Sequence, residues 1–261
     1  MAIEAIVFDL DDTLLVEVAS AEAAFLATCA LAEARYGISQ KHLCQTVRAE
    51  AKELWHNSPA RPYCVSIGIS SWEGLWARFE GEDPNLDVLR DWSPRYRVEA
   101  WYRALMVYGV NDRSFAGRLA AVFQRERRAR HVVYPDVEPV LTKLRQTHRL
   151  ALLTNGAPDL QREKLDGSGL EPYFDAVVIS GDVGFGKPAR KIFEIVLNKL
   201  DTQPNTTVIV GDSLHRDIAG AREVGLKAIW LNRDNKDRDN GVQPDYEINN
   251  LYQLHQCLAS C

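Results

Sequence analysis

An apolar tripeptide, Ile6-Val7-Phe8, runs directly into Asp9-Leu10-Asp11-Asp12-Thr13-Leu14. This reads as a buried strand whose end carries three carboxylates. Carboxylates a few ångströms apart disfavour joint ionisation unless a cation lies among them. The chain must therefore fold so that this strand end meets positive charge. A hard divalent ion meets that need: Mg2+ takes oxygen ligands, commonly one or two carboxylates together with a substrate phosphate. Asp9 and Asp11, two positions apart, share a face of an extended strand. One can attack phosphorus as a metal-held nucleophile. The other can act as general acid and base, typically worth ~10²–10⁴ in rate. The plainer reading is an acidic turn in which Asp12 or Thr13 caps the next element.

Three later segments repeat the same order of apolar strand and polar tip. Leu150-Ala151-Leu152-Leu153 leads to Thr154-Asn155-Gly156, where a hydroxyl, an amide and a glycine N–H suit a phosphate oxygen. Val177-Val178-Ile179 leads into a glycine-rich loop ending Gly186-Lys187-Pro188, whose Lys187 can act as a point charge on phosphate. Val208-Ile209-Val210 leads to Gly211-Asp212-Ser213-Leu214-His215-Arg216-Asp217, with two more carboxylates five positions apart. Taken singly, each is an ordinary turn or a solvated lysine. Ligand sites of open α/β sheets lie at the carboxyl ends of the strands, and four such tips in one chain point to one shared site.

Together these segments resemble the four motifs of the haloacid dehalogenase-like hydrolase superfamily, matched by Asp9-Leu10-Asp11-Asp12-Thr13, Thr154-Asn155, Lys187, and Asp212 with Asp217. The resemblance implies Asp9 as nucleophile, Asp11 as general acid and base, and Thr154 and Lys187 as phosphate binders, with Asn155 lining the phosphate site through its backbone or amide. It implies Mg2+ held by Asp9, the backbone carbonyl of Asp11, and Asp212, with Asp217 behind them near the metal or Lys187. Members that cleave carbon–halogen bonds lack the second carboxylate, so Asp11 places the chain on the phosphatase branch. Relatives often carry Asp-Pro after Gly-Lys-Pro, where this chain has Ala189-Arg190; Lys187 itself is intact.

Residues 135–248 alternate helix and strand patterns, which predicts an α/β fold with a Rossmann-like parallel sheet flanked by helices. Strands are expected at 149–153, 174–179, 207–210, 227–231 and 246–248. Helices are expected from Pro135, around 159–166, over 189–200, from about 216 to Val224, and over 250–258. Residues 233–241 read as a polar loop. Residues 16–133 are helical in pattern instead: a helix capped by Ser20 and stopping near Gly37, one capped by Ser39, a loop over 57–70 with Pro59 and Pro62, and helices near 71–80, 84–91, 94–107 and 112–130. The resemblance implies that this block is an all-helical cap closing over a core made of 1–15 and 134–261, with hinges near Val16 and His131–Pro135. Five of the six tryptophans, Trp55, Trp72, Trp76, Trp92 and Trp101, fall in the block and are expected to pack its core, with one or two left to face substrate. The run Arg125-Glu126-Arg127-Arg128-Ala129-Arg130-His131 reads as a solvated helix face. His215 is expected in a loop, outside catalysis.

A net charge of −5 disfavours nucleic acid as a partner. Cys29, Cys44, Cys64, Cys257 and Cys261 form no paired pattern, which predicts packing residues, a mobile tail thiol at Cys261 and a reducing, cytoplasmic setting. The N-terminal apolar stretch is too short and too acidic for a signal peptide, and no run of ~20 apolar residues offers a membrane span. The expected function is Mg2+-dependent hydrolysis of a small soluble phosphorylated metabolite. Sugar phosphates, nucleoside monophosphates, phosphoglycolate, phosphoserine and acylneuraminate 9-phosphate all remain open, as does the oligomeric state. The competing reading is a phosphoacceptor or binding protein without turnover on a similar α/β scaffold.

Overall fold

In strand β1 (Ala5–Phe8), Ile6 and Phe8 face one apolar layer while Ala5 and Val7 face another, the alternation that a strand covered on both sides requires. The computed structural model, which describes residues 2–238 and 241–259, places β1 at the centre of a six-stranded parallel sheet. Its neighbours are β2 (Arg149–Thr154) and β4 (Thr207–Gly211). Beyond β2 lies β3 (Ala176–Ile179), and beyond β4 lie β5 (Lys227–Leu231) and β6 (Tyr246–Ile248), giving the order β3-β2-β1-β4-β5-β6. Phe8 is in register with Leu152 and Val210. Asp9, Thr154 and Asp212 therefore emerge side by side at the same edge of the sheet.

Between β1 and the next sheet-side helix the chain forms α1 (Glu17–Tyr36), α2 (Gln40–His56), α3 (Arg61–Ile67), α4 (Ser71–Gly74), α5 (Pro84–Val107) and α6 (Arg113–Arg128). These wrap an apolar cluster of their own that includes Phe25, Trp55, Trp76, Trp101 and Phe123, to which the sheet side contributes Ala157 and Leu160. Helix α7 (Val137–Leu144) covers one face of the sheet, where Val137 and Leu141 meet Phe8 and Leu152. Helices α8 (Pro158–Gly167) and α9 (Ser180–Val183) follow β2 and β3, and α10 (Arg190–Leu200) covers the second face through Ile192, Phe193 and Val196. A wide π-type turn (Leu214–Ala219) leads into α11 (Gly220–Glu223), and α12 (Leu254–Ala259) ends the described chain.

Several expectations over residues 16–133 are corrected. Helix α1 begins at Glu17, and Ser20 is buried inside it. The cap comes instead from the acidic turn: Asp12 Oδ1 accepts the N–H of Glu17 at 2.9 Å and of Val18 at 3.1 Å. Ser39 precedes α2 but makes no side-chain cap hydrogen bond. The loop expected over 57–70 contains α3, whose Pro62 sits in the first turn, where a missing N–H costs nothing. The two helices expected at 84–91 and 94–107 are one, with Pro94 inside it at an exposed position. Only one turn of the helix expected at 71–80 forms, held by a reciprocal Ser70–Glu73 cap. Cys29, Cys44 and Cys64 are buried free thiols. Cys261, and residues 239 and 240 of the polar loop, lie outside the described residues. Among the described residues no helix is long and apolar enough to cross a membrane.

Candidate active site

At the tip of β1, Asp9 is 7% exposed and tied on both oxygens. Its Oδ1 accepts from Lys187 Nζ at 2.6 Å and its Oδ2 from Thr13 Oγ1 at 3.1 Å. The same ammonium lies 2.7 Å from Asp217 Oδ1 and donates to the Leu153 carbonyl at 2.7 Å. Burial works against the Lys187 charge, but Asp217 and Asp9 more than offset it and hold the group above its ordinary range. Burial pushes Asp9 up to about 7 despite Lys187, with Asp217 adding to the rise. Asp217 reaches the site by passing tightly over Gly211: any Cβ there would stand 2.4 Å from the Asp217 carboxyl carbon. Position 211 therefore has to be glycine.

Lys187 is placed by Asn155. The Asn155 amide donates to the Lys187 carbonyl at 2.9 Å and its oxygen accepts the Lys187 N–H at 2.8 Å. The amide thus fixes the Lys187 backbone through both of its ends, and Asn155 also lines the cavity, where its backbone N–H and the second amide N–H are the donors it offers.

Asp9, Asp212 and Asp217 each offer a carboxylate oxygen within 4.8 Å of the others. Asp217 is already engaged, Oδ1 by Lys187 and Oδ2 by the Ser213 N–H at 3.0 Å. Asp212 has no hydrogen-bond or ion-pair partner on its carboxylate among the described residues, and burial followed by repulsion from Asp9 raises it to about 8. An oxygen-rich, over-negative pair beside a strand tip fits a hard divalent cation. Asp9 and Asp212, with the Asp11 carbonyl, are the groups that would hold it; Asp217 is committed to Lys187.

Asp11 has partners that sequence reasoning missed. Lys164 Nζ lies 3.0 Å from both Asp11 oxygens, and Gln161 Nε2 donates to Asp11 Oδ2 at 3.0 Å and to Thr154 Oγ1 at 2.5 Å. Lys164 is fully buried and also lies 3.1 Å from Glu17 Oε1 and 3.2 Å from Glu73 Oε1. A signal was present. On α8 the buried positions 158, 160, 161, 164 and 165 form one helical face, so Gln161 and Lys164 occupy slots that periodicity assigns to the core. Gly156, at φ +148°, lets Gln161 fold over it; a Cβ would stand 2.9 Å from Gln161 Cγ.

All seven residues singled out from the motifs, Asp9, Asp11, Thr154, Asn155, Lys187, Asp212 and Asp217, line one cavity of about 300 Å³. Its far wall is Glu17, Gly68, Ser70, Trp72 and Glu73, from the segment between β1 and α7. Trp72 is the tryptophan that faces the cavity, while Trp55, Trp76 and Trp101 are buried in the helical cluster. Arg216 lines the rim; His215 is exposed and does not. The basic run is not a uniformly solvated face. Arg127 is fully buried against Glu17, and Arg128 bonds the Trp76 carbonyl and Glu163.

A family profile described as haloacid dehalogenase-like hydrolase matches residues 3–225. Phosphoserine phosphatase of Thermus thermophilus is 36% identical over 250 residues, covering 95% of this chain and 96% of that protein. N-acylneuraminate-9-phosphatase of Homo sapiens is 29% identical, with 99% and 94% covered. Among solved structures, the HAD-hydrolase YfnB of Bacillus subtilis, described as bound to magnesium, superposes with a TM-score of 0.69 at 23% identity over 99% of both chains, a likeness of fold. With the profile spanning most of its length and a relative above 30% identity along nearly all of it, this chain belongs to the haloacid dehalogenase-like hydrolases.

Proposed function

We propose that this protein is a Mg2+-dependent phosphatase that hydrolyses a small phosphomonoester through an aspartyl-phosphate on Asp9. One observation carries the reading: Lys187 bridges Asp9 and Asp217 beside Asp212, whose carboxylate has no partner among the described residues, with Asp11 and Thr154 opening on the same cavity. Relatives with phosphatase names along nearly the full length support it. A second carboxylate at position 11 favours cleavage of a phosphoester over a carbon–halogen bond, because a departing alkoxide needs a proton and a halide does not.

An Asp9 oxygen forms a bond to phosphorus while the ester P–O bond opposite it breaks, and Asp11 delivers its proton to the departing oxygen. Lys187, Thr154 Oγ1 and the Asn155 N–H hold the phosphoryl oxygens, where charge is high. A bound cation would neutralise Asp9 and Asp212 and polarise the same oxygens. Water then adds to phosphorus, its proton passes to Asp11, and the bond to Asp9 breaks to release inorganic phosphate. Residues 16–133 serve as the cap, and a cavity of about 300 Å³ walled by them sets a small-molecule size limit. The names of the similar proteins make phosphoserine and N-acylneuraminate 9-phosphate the first compounds to try.

The test is turnover of p-nitrophenyl phosphate with Mg2+. The wild type is expected to run through many cycles and stop on EDTA, and Asp9→Asn to lose ~10⁴-fold or more. Stoichiometric phosphorylation without release would favour the phosphoacceptor reading. Activity surviving Asp9→Asn would remove Asp9 as nucleophile.

A further inference from the structure

The α8 residues Lys164 and Gln161 are not used by the four motifs, yet they carry most of the contacts to Asp11. Lys164 Nζ is fully buried and lies within 3.2 Å of three carboxylates from three places in the chain: Asp11 at the β1 tip, Glu17 at the start of α1, and Glu73 in the cap segment. A buried ammonium is tolerated only when paired, so these acids hold it and it holds them. Glu73 is anchored in turn: its Oε2 accepts from Ser70 N–H at 2.9 Å and Ser70 Oγ at 2.6 Å. Glu73 cannot leave without dragging α4 along. Gln161 completes the arrangement by joining Asp11 to Thr154.

We propose that Lys164 is a positioning residue that ties the orientation of the Asp11 carboxyl to cap closure through Glu73. This rests on the phosphatase reading above. With the cap shut, Lys164 bonds both Asp11 oxygens and Gln161 bonds Oδ2, which fixes the carboxyl where it lines the cavity. With the cap lifted, Glu73 departs, Lys164 loses one of three counter-charges, and the ammonium that holds Asp11 is no longer fixed from the α4 side. Proton delivery is then efficient only over an enclosed substrate, so that water is excluded when Asp11 acts. Lys164 touches neither substrate nor metal in this scheme.

The leaving group separates this role from plain structural support. Nitrophenolate departs without a proton, whereas an alkoxide requires one, so Asp11 placement matters for alkyl esters and little for p-nitrophenyl phosphate. The ratio kcat/KM reports the steps up to formation of the phosphoenzyme, which isolates the acid step from the later hydrolysis. The comparison uses p-nitrophenyl phosphate and the fastest-turned-over alkyl ester among phosphoserine, glycerol 3-phosphate and ribose 5-phosphate. In Lys164→Met, kcat/KM for the alkyl ester is expected to fall on the order of 10²-fold and that for the aryl ester less than about tenfold. Lys164→Arg, which keeps the charge, should recover most of the loss. Glu73→Gln should give the same asymmetry at smaller size, and it serves alone if Lys164→Met does not fold. Equal losses on both esters would overturn the positioning role, and an unaltered ratio in Glu73→Gln would overturn the link to the cap. Wild-type turnover of the aryl ester, measured alongside, shows whether the phosphatase reading itself stands.

Discussion

Arg127 and Glu17 form an ion pair across 110 residues of sequence, with both side chains almost completely buried. Glu17 opens the first helix after the β1 tip and Arg127 lies in the last turn of α6, so the pair clasps the place where the chain leaves the sheet to the place where it returns. Arg127 also lies 4.9 Å from the Trp76 ring and donates to the Arg130 carbonyl at 3.0 Å.

Removing one member of such a pair leaves the other charge stranded, which typically costs ~3–5 kcal/mol. Arg127→Met is expected near the lower end, because Lys164 still stands 3.1 Å from Glu17. Urea unfolding checks this. A loss below about 1 kcal/mol would mean that Glu17 is adequately held by Lys164 alone.

Mg2+ should stabilise the folded chain if Asp212 and Asp9 take it. Saturation at a hundred times Kd adds ~2.7 kcal/mol and raises Tm. In Asp212→Asn that rise should vanish while the Mg2+-free Tm changes little or increases, since one member of a repelling pair is neutralised. Differential scanning fluorimetry with and without Mg2+ reads both effects, and a full rise in the variant would place the ion elsewhere.

Half-buried His131 is held down to about 4 by burial and then by Arg127, Lys164 and Arg128. In the unfolded chain it titrates near ~6.5. Between these values the unfolded chain binds a proton that the folded one refuses, so stability falls as pH drops through that window. The loss is ~1–2 kcal/mol after allowance for its partial exposure. His131→Gln should flatten this limb of a stability–pH curve.

Trp72 faces the cavity from α4. Trp72→Ala should reorder kcat/KM across a panel of phosphomonoesters, mainly through KM, while p-nitrophenyl phosphate turnover at saturation stays within about threefold. A uniform loss on every compound would instead mark Trp72 as packing alone.

The strand tips were legible because each apolar run is bounded abruptly by residues that no core would bury without a purpose. Asp9, Thr154, Lys187 and Asp212 stand out by that contrast. Lys164, Gln161, Glu17 and Glu73 did not, because a polar residue in a buried slot does not name its partner; the Lys164 pairings with Glu73 and Asp11 span 91 and 153 positions along the chain. Helix ends are misjudged where Pro62 and Pro94 read as breakers, although one sits in a first turn and the other on an exposed side.

The two chain crossings at the sheet edge lie against each other: Leu15 pairs with Val133 antiparallel, Val16 N–H reaches the Val132 carbonyl at 2.8 Å, and Tyr134 N–H reaches that of Leu14 at 3.1 Å. The chain thus leaves the sheet side and comes back to it through one paired ribbon, so residues 17–128 share a single covalent doorway with the rest of the molecule, and the Glu73–Lys164 pair fastens them to α8 at a second place.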